Sequence, residues 1–150
     1  MSTQQFHSNI HDNGVAELVI DRAPVNALNA AGWNGLAKEI QSLGDKPEVR
    51  VIVIRAENRG FCAGVDIKEL DAHPERIVAV NGGNYATFKA VHRNPVPVIA
   101  AVNGVAAGAG AVWGAGSAAW TAGAMARIAQ VAASVWNHFF MGDCLSCSAF

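Results

Sequence analysis

The sequence predicts an α/β fold built around a parallel sheet, and three observations carry that expectation. Two short apolar runs, residues 49–54 and 98–102, read as strands covered on both faces. An earlier strand-like run, residues 15–20, is followed by a stretch with the apolar spacing of one helix face, which then leads into residues 49–54. Strand, helix and strand over that length make a βαβ unit, whose two strands lie parallel. The composition, 51% hydrophobic and 15% charged over 150 residues, is that of a globular chain with enough apolar residues for a real core.

Each element has its own local reason. Val15, Leu18, Val19 and Ile20 supply the first strand, and Asp21-Arg22-Ala23-Pro24 breaks it. Asn29 is a suitable N-cap for a helix that places Trp33, Leu36, Ile40 and Leu43 on one face. Gly44 ends that helix and Pro47 follows, as after a C-cap. Residues 55–64 contain two glycines and read as a loop, and residues 66–71 as a short helix. A further helix ends with Tyr85, Phe88 and Val91, with Gly82-Gly83 interrupting whatever precedes it. Pro95-Val96-Pro97 introduces the strand at 98–102, and Asn103-Gly104 turns it into a Gly/Ala-rich run.

Charge and cysteine content narrow the function classes. A net charge of −1 with acids and bases interspersed excludes a basic nucleic-acid surface or an anionic-membrane surface. The polar residues 1–12 lack the pattern of a signal peptide, and three cysteines are too few for a secreted disulfide framework, so the cytoplasm is the expected compartment. The histidines, at 7, 11, 73, 92 and 138, sit in no metal-ligand spacing, and no metal is expected.

Two glycine-rich loops, each after a buried strand, stand out as candidate chemistry. One runs from Arg59 through Phe61-Cys62-Ala63-Gly64-Val65-Asp66-Ile67 to Leu70, the other is Asn103-Gly104-Val105-Ala106-Ala107-Gly108-Ala109-Gly110-Ala111. Such turns into a helix present unpaired backbone N–H groups and the positive end of the helix dipole, which suits a phosphate or a developing oxyanion. Taken singly, Gly64 also reads as a loop residue with positive φ and Asp66 as an N-cap, while Lys68 and Glu69 read as a solvated helix face. Gly108-x-Gly110 does not extend to a dinucleotide fingerprint, because Trp113 stands at the third small position and no acid follows at the required distance. Cys144-Leu145-Ser146-Cys147 is a lone pair of cysteines with only His138 nearby, short of a zinc site.

The two loops, with Arg22-Ala23-Pro24-Val25-Asn26-Ala27-Leu28 after the first strand, resemble the three signatures of the enoyl-CoA hydratase/isomerase (crotonase) family, in family order, over residues 1–111. The resemblance implies a spiral of ββα units, truncated here, and an enzyme acting on acyl-CoA thioesters in fatty-acid-type metabolism. It implies an oxyanion hole made by the backbone N–H groups of Val65 and Ala109. It further implies that Ala63, Asp66, Ile67 and Lys68 line the coenzyme A path, with Ala23, Pro24 and Val25 beside it. Coenzyme A is then part of the substrate, and no separate cofactor is expected; family members form trimers or hexamers.

A compositional seam follows. Residues 1–111 hold 21 charged residues, whereas residues 112–150 hold two, Arg127 and Asp143, together with Trp113, Trp120 and Trp136. Past Ala111 the likeness to the family disappears. The position aligned with the first of the family's two hydrating glutamates holds Val112, and the second falls near Ala132, among Ala and Ser, none able to serve as that acid or base. The expectation is therefore two regions, 1–111 and a divergent apolar tail 112–150, with hydratase activity of this chain in doubt. Three origins compete for the tail: a frame-shifted or misassembled reading, which its Ala/Gly/Trp-rich composition fits best, a non-hydrating family member, or a membrane span over residues 105–126, uncharged and accompanied by the spacings Gly104-x-x-x-Gly108 and Gly110-x-x-x-Gly114. Against the span, glycine and alanine are weakly apolar and Asn103 flanks a strand-like run.

Overall fold

The computed structural model describes residues 5–108, and the readings that concern Ala109, Val112, Ala132, the cysteine pair and the tail lie outside the described residues. The described chain runs β1 (Phe6–Ile10), β2 (Val15–Ile20), β3 (Ala27–Leu28), α1 (Ala30–Gly44), β4 (Val51–Ala56), β5 (Gly60–Cys62), β6 (Gly64–Val65), α2 (Ile67–Ala72), a 3-10 turn (Pro74–Arg76), α3 (Ile77–His92), β7 (Val98–Ala100) and β8 (Val105–Ala106). The main sheet has the order β1-β2-β4-β7. β2, β4 and β7 are parallel, Leu18 opposite Ile54 and Ile54 opposite Ala100. β1 adds an antiparallel edge, with Phe6 opposite Ile20. Two small parallel pairs, β3-β6 and β5-β8, stand apart from this sheet. The α/β class with parallel pairing is therefore what the chain adopts.

The core lies between the main sheet and α1. Ala16, Leu18, Ile20, Ile52 and Ile54 meet Trp33, Leu36, Ile40 and Leu43. Full burial of each large aliphatic or aromatic side chain contributes about 1.5–3 kcal/mol, which makes this layer a major source of stability among the described residues. Asn29 caps α1 as expected, its side-chain oxygen accepting from Gly32 N–H at 2.8 Å. α1 ends at Gly44 as expected, although the cap is Asp45 in an ordinary right-handed conformation rather than a left-handed glycine.

Three further elements depart from the sequence reading. β1 has no counterpart in the sequence reading, because its apolar residues, Phe6 and Ile10, stand only at its two ends and none of its residues is fully buried. The stretch read as a loop, 55–64, contains the end of β4, all of β5 and the start of β6. α3 runs unbroken through Gly82-Gly83, since Gly83 is where it crosses α1: a Cβ there would sit 2.7 Å from Trp33 Cβ. Thr87, one turn on, is buried, and its hydroxyl lies 3.0 Å from Trp33 O and 2.9 Å from Gly83 O. At Gly83 tertiary contact overrides the poor helix propensity of glycine.

Candidate functional site

The segment between β2 and β3 forms a lip, and Asn26 shapes it. Asn26 is fully buried with φ 57°, a left-handed conformation that asparagine tolerates. Its Oδ1 accepts from Arg22 N–H at 2.8 Å, and its Nδ2 donates to Glu57 O at 2.6 Å and Gly60 O at 2.8 Å. With every polar atom of that side chain engaged, the backbone between Arg22 and Asn26 loops outward. Ala23, Pro24 and Val25 are exposed on it. Ala63 N–H donates to Val25 O at 3.1 Å, which joins the lip to the strand pair opposite.

That opposite wall is β6 running into α2. Gly64 has φ +89°, and a Cβ built on it would meet Ala107 O at 3.0 Å and Gly108 Cα at 3.6 Å. Both facts require glycine, one through the left-handed backbone and one through the close approach of a second chain segment. That segment is the start of the second glycine-rich loop, held by the β5-β8 pairing and by Ala107 N–H donating to Cys62 O at 2.9 Å. The two loops picked out in the sequence therefore abut at Gly64 and Gly108.

Val65 follows Gly64 in β6. Asp66 N–H donates to Leu28 O of β3 at 3.0 Å, so the alternation of strand groups turns the Val65 N–H away from β3. Asp66 caps α2, accepting from Lys68 N–H at 3.1 Å and Glu69 N–H at 3.4 Å. Its other oxygen takes Arg22 Nη2 at 2.6 Å, while Arg22 Nη1 donates to Ala27 O. The hydrogen bond from Arg22 holds the Asp66 carboxyl below the usual aspartate range. Lys68 is exposed and Ile67 is 76% exposed.

Between lip and wall lies a cleft of about 730 Å³. The structure brings Ala23, Pro24 and Val25 of the lip together there with Ala63, Val65, Asp66, Ile67 and Lys68 of the wall. Ala109, named as the second backbone donor, lies outside the described residues, one position beyond Gly108. Cys62 is buried beneath the wall, and desolvation pushes its thiol up to about 11, so it stays protonated and inert at neutral pH. Among the described residues no group of three His, Cys, Asp or Glu side chains assembles a metal site.

Sequence reasoning missed three residues of this site. Arg22 and Asn26 sat inside a quoted motif without a role. Glu69 was read as part of a solvated face; instead its side chain is 11% exposed and pairs with Arg76 at 2.6 Å. The one available signal was a set of polar residues in a short helix that has no buried apolar face.

The comparisons agree with this architecture. The chain is 43% identical over 100 residues to a hexahydro-1H-indene-carboxyl-CoA hydrolase of Rhodococcus jostii, covering 65% of this chain and 39% of that enzyme. It is 35% identical over 107 residues to mouse mitochondrial methylglutaconyl-CoA hydratase, covering 69% of this chain and 34% of that one. The crystal structure of an enoyl-CoA hydratase from Mycobacterium smegmatis superposes with a TM-score of 0.73 at 31% identity, covering 78% of this chain and 47% of that one. This chain thus spans less than half the length of each. The enoyl-CoA hydratase/isomerase family model matches residues 11–135, a span that includes the lip, both glycine-rich loops and part of the apolar stretch beyond them. On that match the chain belongs to the enoyl-CoA hydratase/isomerase family.

Proposed function

We propose that this chain binds acyl-CoA thioesters in the cleft between residues 22–25 and α2, with the thioester carbonyl oxygen at the meeting point of the two glycine-rich loops. The observation that carries the reading is the packing of Gly64 against Ala107 and Gly108, which sets Val65 beside the segment leading to Ala109. Two fixed backbone N–H donors at that point stabilise an enolate-like anion more than the ground-state carbonyl, and loss of one such donor costs about 3 kcal/mol of barrier in other enzymes. The relatives support a coenzyme A thioester as ligand, since both named above act on one by their names.

The chemistry after enolate formation needs a group that moves a proton. By the family resemblance the positions of the hydrating glutamates fall at Val112 and near Ala132, and neither residue can move a proton. The chain as written is accordingly an acyl-CoA-binding member without appreciable hydratase turnover; a catalytically silent binding or structural subunit is the reading these two positions favour. The test is an absorbance assay for loss of crotonyl-CoA beside a binding titration with the same mass-verified protein. Binding without hydration supports the reading. Turnover of about 1–10³ s⁻¹, the range of ordinary enzymes, would overturn the second half of it.

A further inference from the structure

α2 forms one wall of the cleft, yet none of its six residues is buried. Leu70 alone packs in part against the core. A helix this short does not hold its own conformation in water, and its apolar anchorage is slight. Polar ties must therefore set where it lies. Asp66 supplies one through Arg22, already described. Glu69 supplies the other, and its reach is long: Oε2 accepts the backbone N–H of Ala30, the first residue of α1, at 2.9 Å. Oε1 accepts Arg76 Nη1 at 2.6 Å from the 3-10 turn that follows α2.

The Ala30 N–H is one of the four donors that a helix start leaves without an intrahelical partner, and a carboxylate there also meets the favourable end of the helix dipole. Asn29 satisfies the N–H of Gly32, and Glu69 that of Ala30. α1 itself is immobilised by the fully buried Trp33, Leu36, Ile40 and Leu43. A carboxylate bonded to the first turn of α1 thus transmits the rigidity of the core to a helix that has almost no core contact of its own.

We infer that Glu69 is a positioning residue, which fixes α2 against α1 and so holds Ile67 and Lys68 as the wall of the thioester cleft. This deepens the function proposed above and rests on it for the identity of the ligand, although the mechanical part stands without any ligand. Glu69 touches no substrate in this account and acts only through α2.

The test uses the full chain with Glu69→Ala, Glu69→Gln and Arg76→Ala, read by amide hydrogen exchange and by titration with butyryl-CoA. In Glu69→Ala, exchange of residues 67–72 should rise about tenfold while residues 36–43 of α1 keep their protection. Butyryl-CoA affinity should fall about tenfold in that variant. Glu69→Gln keeps an oxygen for the Ala30 N–H and should recover both readouts to within about threefold, and Arg76→Ala, which removes only the half-exposed tie, should resemble it. Unchanged exchange at 67–72 in Glu69→Ala would overturn the inference. So would an equal rise across α1 and α2, which would make Glu69 a general stabiliser. If the unsubstituted chain fails to bind butyryl-CoA, the ligand reading falls while the exchange data still decide the role of Glu69.

Discussion

Gly64 concentrates the demands of this site in one residue. A side chain there would meet a left-handed backbone at φ +89° and a carbonyl oxygen at 3.0 Å, and relief of either would move Val65 away from Ala107 and Gly108. Gly64→Ala should cost about 1–2 kcal/mol from the backbone conformation alone, seen as a lower denaturation midpoint with an unchanged slope. On the proposed function, thioester affinity should fall as well. Asp66 offers a second residue-scale test, through pH. Its folded pKa is depressed, foremost by the hydrogen bond from Arg22, so its contribution is fully present above the ordinary aspartate pKa. That contribution disappears as the pH falls through the lowered folded value. The stability gap between the unsubstituted chain and Asp66→Asn should be constant near neutrality and close in acid below the ordinary aspartate range. A gap that widens on acidification would contradict the assignment.

Among the elements, the crossing of α1 and α3 shows how packing decides where propensity does not. Gly83 admits the backbone of α1, and Gly83→Ala would press a methyl to 2.7 Å from Trp33 Cβ and 3.1 Å from Asn34 N. Because part of that obstruction is main chain, the helices must separate, at a cost of about 1–3 kcal/mol measurable by thermal unfolding. Thr87→Val, which leaves Gly83 in place and removes only the hydroxyl, should cost about 1 kcal/mol. The same contrast explains which elements were legible in the sequence. β2 is plain because it is a short, nearly continuous apolar run rich in branched residues, and α1 because its apolar residues repeat at 3.6 residues, as burial on one helix face dictates. β1 is apolar only at its two ends, Phe6 and Ile10, so no period marks it. β5 and β6 are glycine-bearing strands of three and two residues, too short to show alternation. The start of α3 is hidden by Gly82-Gly83, and the contact that compensates Gly83 comes from a helix 50 residues earlier.

Across the whole molecule, the cleft residues were readable because three short motifs lie in a characteristic order, while the ties that shape the cleft were not. Arg22 meets Asp66 across 44 residues and Ala30 meets Glu69 across 39, and ion pairs or caps at such separations leave no periodic trace. The described fold is a layer of parallel sheet and two helices from which the lip, β6 and α2 project to form one cleft. The central claim is that this cleft takes a coenzyme A thioester. The direct measurement is calorimetric titration of the mass-verified 150-residue chain with butyryl-CoA, a saturated thioester that no hydratase activity can consume. The account predicts saturable binding at one equivalent per chain, competed by crotonyl-CoA and weakened by Gly64→Ala. Absence of saturable heat at millimolar ligand with a folded chain, or equal binding by Gly64→Ala, would contradict it.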